Sequence, residues 1–70
     1  MMPLAFADIG EEHIIKKVGG AGETKKHLEN LGFVVGAAVR VVTTMGGNLI
    51  VNVKEARVAI SKEMSQKIMV

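Results

Sequence analysis

The segment from Gly19 to Lys26, GGAGETKK, places a glycine-rich loop and two lysines at the start of a predicted helix. A phosphate-binding loop uses the same residue types, since it cradles phosphate oxygens with backbone N–H groups and a lysine. That pattern needs the lysine directly after the last glycine, but here Glu23 follows Gly22. The Glu23 carboxylate takes the electropositive helix start that a phosphate would need. We therefore predict a tight strand-to-helix turn rather than a nucleotide site.

Metal ligation is the second chemistry that these side chains could support. Glu11, Glu12 and His13 are consecutive, and His27 is the other histidine of a chain without cysteine. A tight transition-metal site needs three or four converging ligands and favours several histidines or cysteines. Neighbouring strand residues point to opposite faces, so Glu12 and His13 are not expected to converge. We expect no cofactor and no high-affinity metal site, with at most weak surface binding of Fe²⁺ or Zn²⁺.

Catalytic side chains are sparse. The chain has no cysteine or tyrosine, and no serine stands in a pattern that would pair it with a histidine base. Each hydroxyl residue suits a helix cap, a strand or a turn: Thr24, Thr43, Thr44, Ser61 and Ser65. We expect no enzymatic activity.

Length and charge limit the remaining classes. The chain has 70 residues, of which 49% are hydrophobic, so we expect a single domain over residues 1–70. A net charge of +2 with interspersed signs attracts nucleic acid only weakly. The N-terminus has no basic leader, and Arg40 interrupts the longest apolar stretch, residues 33–42. These features favour a cytoplasmic protein that does not itself span a membrane.

The first half of the chain predicts one strand and one helix. His13 to Val18 is rich in β-branched residues and ends at glycines, which indicates a strand. From Glu23, the run ETKKHLENLG reads as a short helix with Leu28 on its buried face. Gly32 is the expected left-handed cap that folds Phe33 back onto Leu28.

The second half alternates with a period of two. Residues 38–45 and 49–54 read as two strands, and keeping their valines on one face needs an odd loop, for which we expect three residues. A third strand should place Val58 and Ile60 inward. Ser61 should cap a helical turn before the final extended residues 68–70. The fold predicted is mainly β, a closed antiparallel barrel with one short helix between strands 1 and 2 and a helical turn before the last strand.

From Leu28 onward the sequence resembles that of a known family. The features are an LxxLG motif, a VRVV strand, a GG turn, LIVNV and RVAISKEMSQKIMV, preceded by MPL and Gly10-Glu11 near the front. Together they resemble FeoA, the small accessory proteins of bacterial ferrous iron uptake. The resemblance implies an SH3-like barrel, a cytoplasmic location and docking on the FeoB-type membrane ferrous iron transporter, which carries a cytoplasmic GTP-binding domain.

Three positions depart from the family pattern. Val35 stands where a proline often precedes Gly36, and Glu55 stands where a turn glycine is common. We interpret both differences as variation in the sequence of turns. His27 stands where the helix often has an apolar residue, and we expect it to be half covered at the margin of the buried face.

A binding module is the class that remains, in one of two forms. In the first, the helix docks on a protein through Lys25, Lys26, His27 and Glu29, whose charges steer association. In the second, the chain is an Sm-like small-barrel RNA binder, a class that favours exposed aromatics. We expect Phe6 and Phe33 to pack inside, which favours the first form. Exposed Val42, Ile50 and Ala59 would also permit a homodimer.

Overall fold

The computed structural model describes residues 1–70 and consists of six strands, two α-helices and a 3₁₀ turn at Leu4–Phe6. The elements run in the order β1 (Glu12–Ile14), β2 (Lys17–Val18), α1 (Glu23–Asn30), β3 (Ala38–Met45), β4 (Asn48–Val53), β5 (Ala56–Ile60), α2 (Lys62–Ser65) and β6 (Ile68–Met69). One sheet has the order β1-β3-β4-β5, and β2 pairs with β6 in a second sheet. All pairings are antiparallel. The mainly β fold is confirmed, but the strands form two sheets rather than a closed barrel.

The predicted strand from His13 to Val18 is divided between the two sheets. The Ile15 N–H donates to the carbonyl of Ala37, next to β3, whereas the Lys16 N–H donates to the carbonyl of Met69 in β6. The chain therefore changes its partner between two consecutive residues. As a result, α1 follows the second strand of the chain rather than the first.

The hairpin between β3 and β4 differs from the prediction in one respect. Val39 faces Val53 and Val41 faces Val51, which confirms that the valines share a face. The loop, however, has two residues, Gly46 and Gly47, both at the positive φ that a type I′ turn requires. The extra residue lies in the strand, because the register shifts between Val41 and Thr43. The bulge therefore supplies the extra residue that keeps the valines of both strands on one face, which a three-residue loop was expected to supply.

The helix ends follow the predicted capping. Gly32 has φ +109°, the Phe33 N–H donates to the Leu28 carbonyl at 3.0 Å, and the Gly32 N–H donates to the Glu29 carbonyl. These two bonds are those of a Schellman motif, and they bring Phe33 over Leu28. Ser61 caps α2, since its Oγ accepts from the Met64 N–H at 3.2 Å.

A single cluster of buried apolar side chains fills the space between the sheets and α1. Its members are Leu4, Ile15, Val18, Leu28, Phe33, Val39, Val41, Leu49, Val51, Val53, Ile60, Ile68 and Val70. Val58 packs against this cluster from β5, as predicted. Phe6 does not belong to it: the 3₁₀ turn buries Leu4 and leaves Phe6 68% exposed, so the prediction of two packed phenylalanines was wrong. Neither helix is long or apolar enough to cross a bilayer.

Candidate functional site

The outer face of α1 carries the charged residues that the sequence singled out. Leu28 is the helix's buried residue, while Lys25, Lys26, His27 and Glu29 are all exposed. None of the four takes part in an ion pair or a side-chain hydrogen bond. Their charges and donors are therefore free for a binding partner.

Helix geometry divides these four residues between two flanks. Successive residues of an α-helix are rotated by about 100° about its axis. Lys26 therefore lies almost opposite the buried Leu28, Lys25 and Glu29 lie together on one flank, and His27 lies on the other. His27 is exposed rather than half covered, so that expectation was wrong. The sequence predicts one set of four residues, whereas the helix presents His27 in a different direction from Lys25 and Glu29.

The end of α1 lies against the turn between β4 and β5. A Cβ placed on Gly32 would lie 3.5 Å from Cδ of Lys54, so the aliphatic stem of Lys54 passes directly over the helix cap. Lys54 also lines an open groove of about 460 Å³ on the outer face of the four-stranded sheet. The groove is otherwise lined by Glu12, Ala37, Ala38, Arg40, Asn52 and Glu55. Lys54 therefore lies between the C-terminal end of α1 and the groove.

Sequence reasoning missed the groove because its residues are distant in the chain. Glu12 on β1 pairs with Arg40 on β3, which in turn pairs with Asn52 on β4, so the three form a row across the sheet. The Arg40 Nη2 to Glu12 Oε2 distance is 4.0 Å, a loose ion pair that leaves the guanidinium donors largely available. In the sequence, each of these polar strand residues has an even residue number. That pattern does not show which residues of different strands lie side by side, because this depends on the strand register.

The candidate metal ligands do not converge. His13 Nε2 lies 3.8 Å from Glu11 Oε2, whereas Glu12 turns to Arg40, and no group of three or more histidine or acidic side chains could hold an ion. Two ligands fall short of the three or four that a tight site uses. The side chains present therefore do not fit a zinc or iron centre built by this chain alone. His13 Nε2 is buried without a hydrogen-bond partner.

The glycine loop before α1 forms the tight turn that the sequence predicts. Gly20 and Gly22 have φ of +99° and +55°, and Gly22 is the residue that precedes the first turn of the helix. Gly19 lies close to the chain before β6, since its N–H donates to the Lys67 carbonyl at 2.7 Å. Backbone conformation and close approach therefore account for these glycines.

The apolar residues that were expected to permit a homodimer are only partly exposed. Val42 and Ile50 are half-buried, and Ala59 is exposed. The large apolar side chains that are more exposed lie elsewhere, among them Ile14, Val35 and Met45.

Comparisons with known proteins identify the family of the chain. A family model described as the FeoA domain matches residues 2–70. A relative from Methanocaldococcus jannaschii, named "Putative Fe(2+) transport protein A", is 36% identical over all 70 residues, which span 85% of that protein.

Solved structures share the fold. The chain is similar to FeoA from Stenotrophomonas maltophilia in complex with zinc, described as an SH3 domain protein, with a TM-score of 0.87, 24% identity and coverage of 99% of this chain and 88% of that one. It is also similar to an iron uptake regulatory protein (FeoA), with a TM-score of 0.88, 24% identity and coverage of 96% and 91%. The fold is SH3-like, and the chain belongs to the FeoA family.

Proposed function

We propose that this chain takes part in ferrous iron transport as a cytoplasmic accessory protein that docks on the FeoB-type transporter. It acts as one domain through binding, without catalysis and without a metal centre of its own. Family membership supports the role in iron transport, and it favours that role over RNA binding even though Phe6 is exposed.

The main support for docking through α1 is that its charged side chains form no ion pair within the chain. Lys25, Lys26, His27 and Glu29 are exposed and have no partner within the chain. Charged residues at the rim of an interface steer association and select the partner. Capping by Gly32 and the packing of Leu28 and Phe33 hold the helix backbone in place beneath these charged side chains.

Isothermal titration of the transporter's cytoplasmic domain with the chain tests this surface. We expect binding by the unaltered chain and loss of binding in the double variant Lys25→Glu/Lys26→Glu. Lys62→Glu is the control for charge reversal at a distant position, compared with Lys25→Glu and Lys26→Glu singly, because Lys62 lies near Thr44 and Leu49, at the end of the sheet away from Lys54. Equal affinity of the double variant and the control would contradict docking through α1.

Binding would act by favouring one conformation of the transporter, because a ligand shifts an equilibrium only if it prefers one state. The rate of GTP hydrolysis and the iron flux, measured with and without the chain at saturation, test this mechanism. We expect at least one of them to change. Unchanged values of both, with binding demonstrated, would exclude it.

A further inference from the structure

Strand β5 forms a free edge of the four-stranded sheet. Strands β4 and β5 are joined by a two-residue turn, and Val53 and Ala56 are the paired residues on either side of that turn. Hydrogen-bonded and non-bonded pairs alternate in an antiparallel ladder, so Ala56, Val58 and Ile60 bond to β4. The N–H and C=O groups of Arg57 and Ala59 therefore point away from the sheet. No hydrogen bond outside the ladders uses them, and both residues are exposed.

This edge has one of the features that usually protect a sheet edge, the charged side chain of Arg57, and lacks the others. Natural proteins block edges with prolines, charged side chains, bulges or very short strands. The sequence of β5 is ARVAI, and its five pairs with β4 keep one register without a bulge. By comparison, β1 has three residues, and the outer side of β6 is occupied by Met2 and Pro3. Strand β5 thus presents a regular edge whose outward N–H and C=O groups have no partner within the chain.

We propose that the β5 edge pairs with the β5 edge of a second copy of this chain, antiparallel about a two-fold axis at Val58. In this register, Arg57 of each copy lies opposite Ala59 of the other. Residues that face outward on both strands then exchange both N–H···O bonds. The two four-stranded sheets become one continuous sheet.

Charge and the end of the strand favour this register over the registers centred on Arg57 and on Ala59. Pairing about Arg57 would place two arginines directly opposite each other, which is destabilising. Pairing about Ala59 would place Arg57 opposite Ser61, which caps α2 and lies beyond the strand. Only the register about Val58 pairs the free groups of Arg57 with those of Ala59 without placing the two arginines directly opposite each other.

Side chains on the outer face also favour a second copy as the occupant. Ala59 pairs with the half-buried Ile50 on β4. Because the alanine side chain is small, these two residues form a shallow apolar depression beside the edge. The aliphatic stem of Arg57 from the second copy would lie over this depression, while its guanidinium stays in water. Because the two copies are related by a two-fold axis, the contact between Arg57 and Ala59 occurs twice in the dimer. The dimer leaves no β5 edge free to bind a third chain.

Amide hydrogen exchange of the unaltered chain, from micromolar to millimolar concentration, tests the edge directly. We expect the Arg57 and Ala59 amides to slow by about tenfold when nine-tenths of the chain is paired. The Val58 amide, bonded within the sheet, should be protected at every concentration. Sedimentation over the same range should give a mass rising from 7.5 kDa toward twice that value.

Ala59→Pro is the variant that separates edge pairing from other dimers. Proline is tolerated where an edge N–H faces solvent, so this change removes an outward donor and keeps the ladder with β4. Val35→Pro is the matched control, because Val35 lies in a turn and its N–H donates no backbone bond. We expect Ala59→Pro to stay monomeric and Val35→Pro to pair like the unaltered chain.

Three results would overturn the proposal. The first is a monomeric mass at millimolar concentration with Arg57 and Ala59 amides that exchange at a constant rate. The second is a dimer that persists in a folded Ala59→Pro variant. The third is protection of these amides only on addition of the transporter's cytoplasmic domain, which would assign the edge to the transporter.

Discussion

The turn between β4 and β5 places two residues with side chains, Lys54 and Glu55, at φ values of +49° and +64°. Its two-residue length fits a type I′ turn, which requires positive φ at both central positions and therefore favours asparagine and glycine. The corresponding turn between β3 and β4 has Gly46 and Gly47 at these positions. The β4–β5 turn therefore holds backbone strain that the other hairpin avoids.

Replacement of Glu55 by glycine should relieve part of this strain. A left-handed conformation costs an L-residue about 1–2 kcal/mol. Glycine offsets about 0.4–1 kcal/mol of that gain because it is more flexible in the unfolded chain. The expected net stabilisation is about 0.8 kcal/mol, and for a domain of this size it raises Tm by roughly 3–6 °C. Lys54 is the poorer choice, because its stem packs over Gly32.

Thermal unfolding of Glu55→Gly and Glu55→Ala, followed by circular dichroism, separates the backbone effect from the loss of charge. Both variants remove the carboxylate, but alanine keeps the Cβ that makes positive φ unfavourable. We expect a higher Tm for the glycine variant and a change within about 0.5 kcal/mol for the alanine variant. Equal Tm values, or a lower Tm for the glycine variant, would refute the assignment of strain to this turn.

Three further variants test the packing and the caps by chemical denaturation. Val35→Pro should stabilise the chain by about 0.4–1 kcal/mol, because the Val35 N–H makes no backbone bond and Gly36 follows at φ +92° in the turn; a loss of stability would contradict that turn assignment. Leu28→Ala should cost about 2–5 kcal/mol, a large share of a total of about 3–10 kcal/mol; a cost below about 1 kcal/mol would be inconsistent with full burial. Gly32→Ala should cost about 1–3 kcal/mol through its positive φ, and an unchanged stability would argue against the Schellman cap.

Local signals predicted the parts of the fold that depend on neighbouring residues. The Gly32 cap and the Ser61 cap each rest on one residue type at a helix end, and both are present. The alternation of valines predicted the buried face of β3 and β4. It required one extra residue in the hairpin but could not locate it, because a bulge at Val42 and a longer loop restore the same pairing.

Features that depend on tertiary pairing could not be read from the sequence. Ile15 and Lys16 lie in an unbroken β-branched and basic run, and their change of sheet shows only in their separate partners, Ala37 and Met69. Phe6 is apolar and near Leu4, yet a 3₁₀ turn orients only Leu4 inward. The groove beside Lys54 likewise needs the register of three strands.

The central claim is that the chain works by docking through α1, and mapping of the bound surface tests it most directly. Amide chemical shifts of the labelled chain can be followed by NMR while the transporter's cytoplasmic domain is added. We expect the largest changes at Lys25, Lys26, His27 and Glu29, extending to Lys54. Changes confined to the far end of the sheet around Thr44 and Lys62, or no changes at all, would contradict the account.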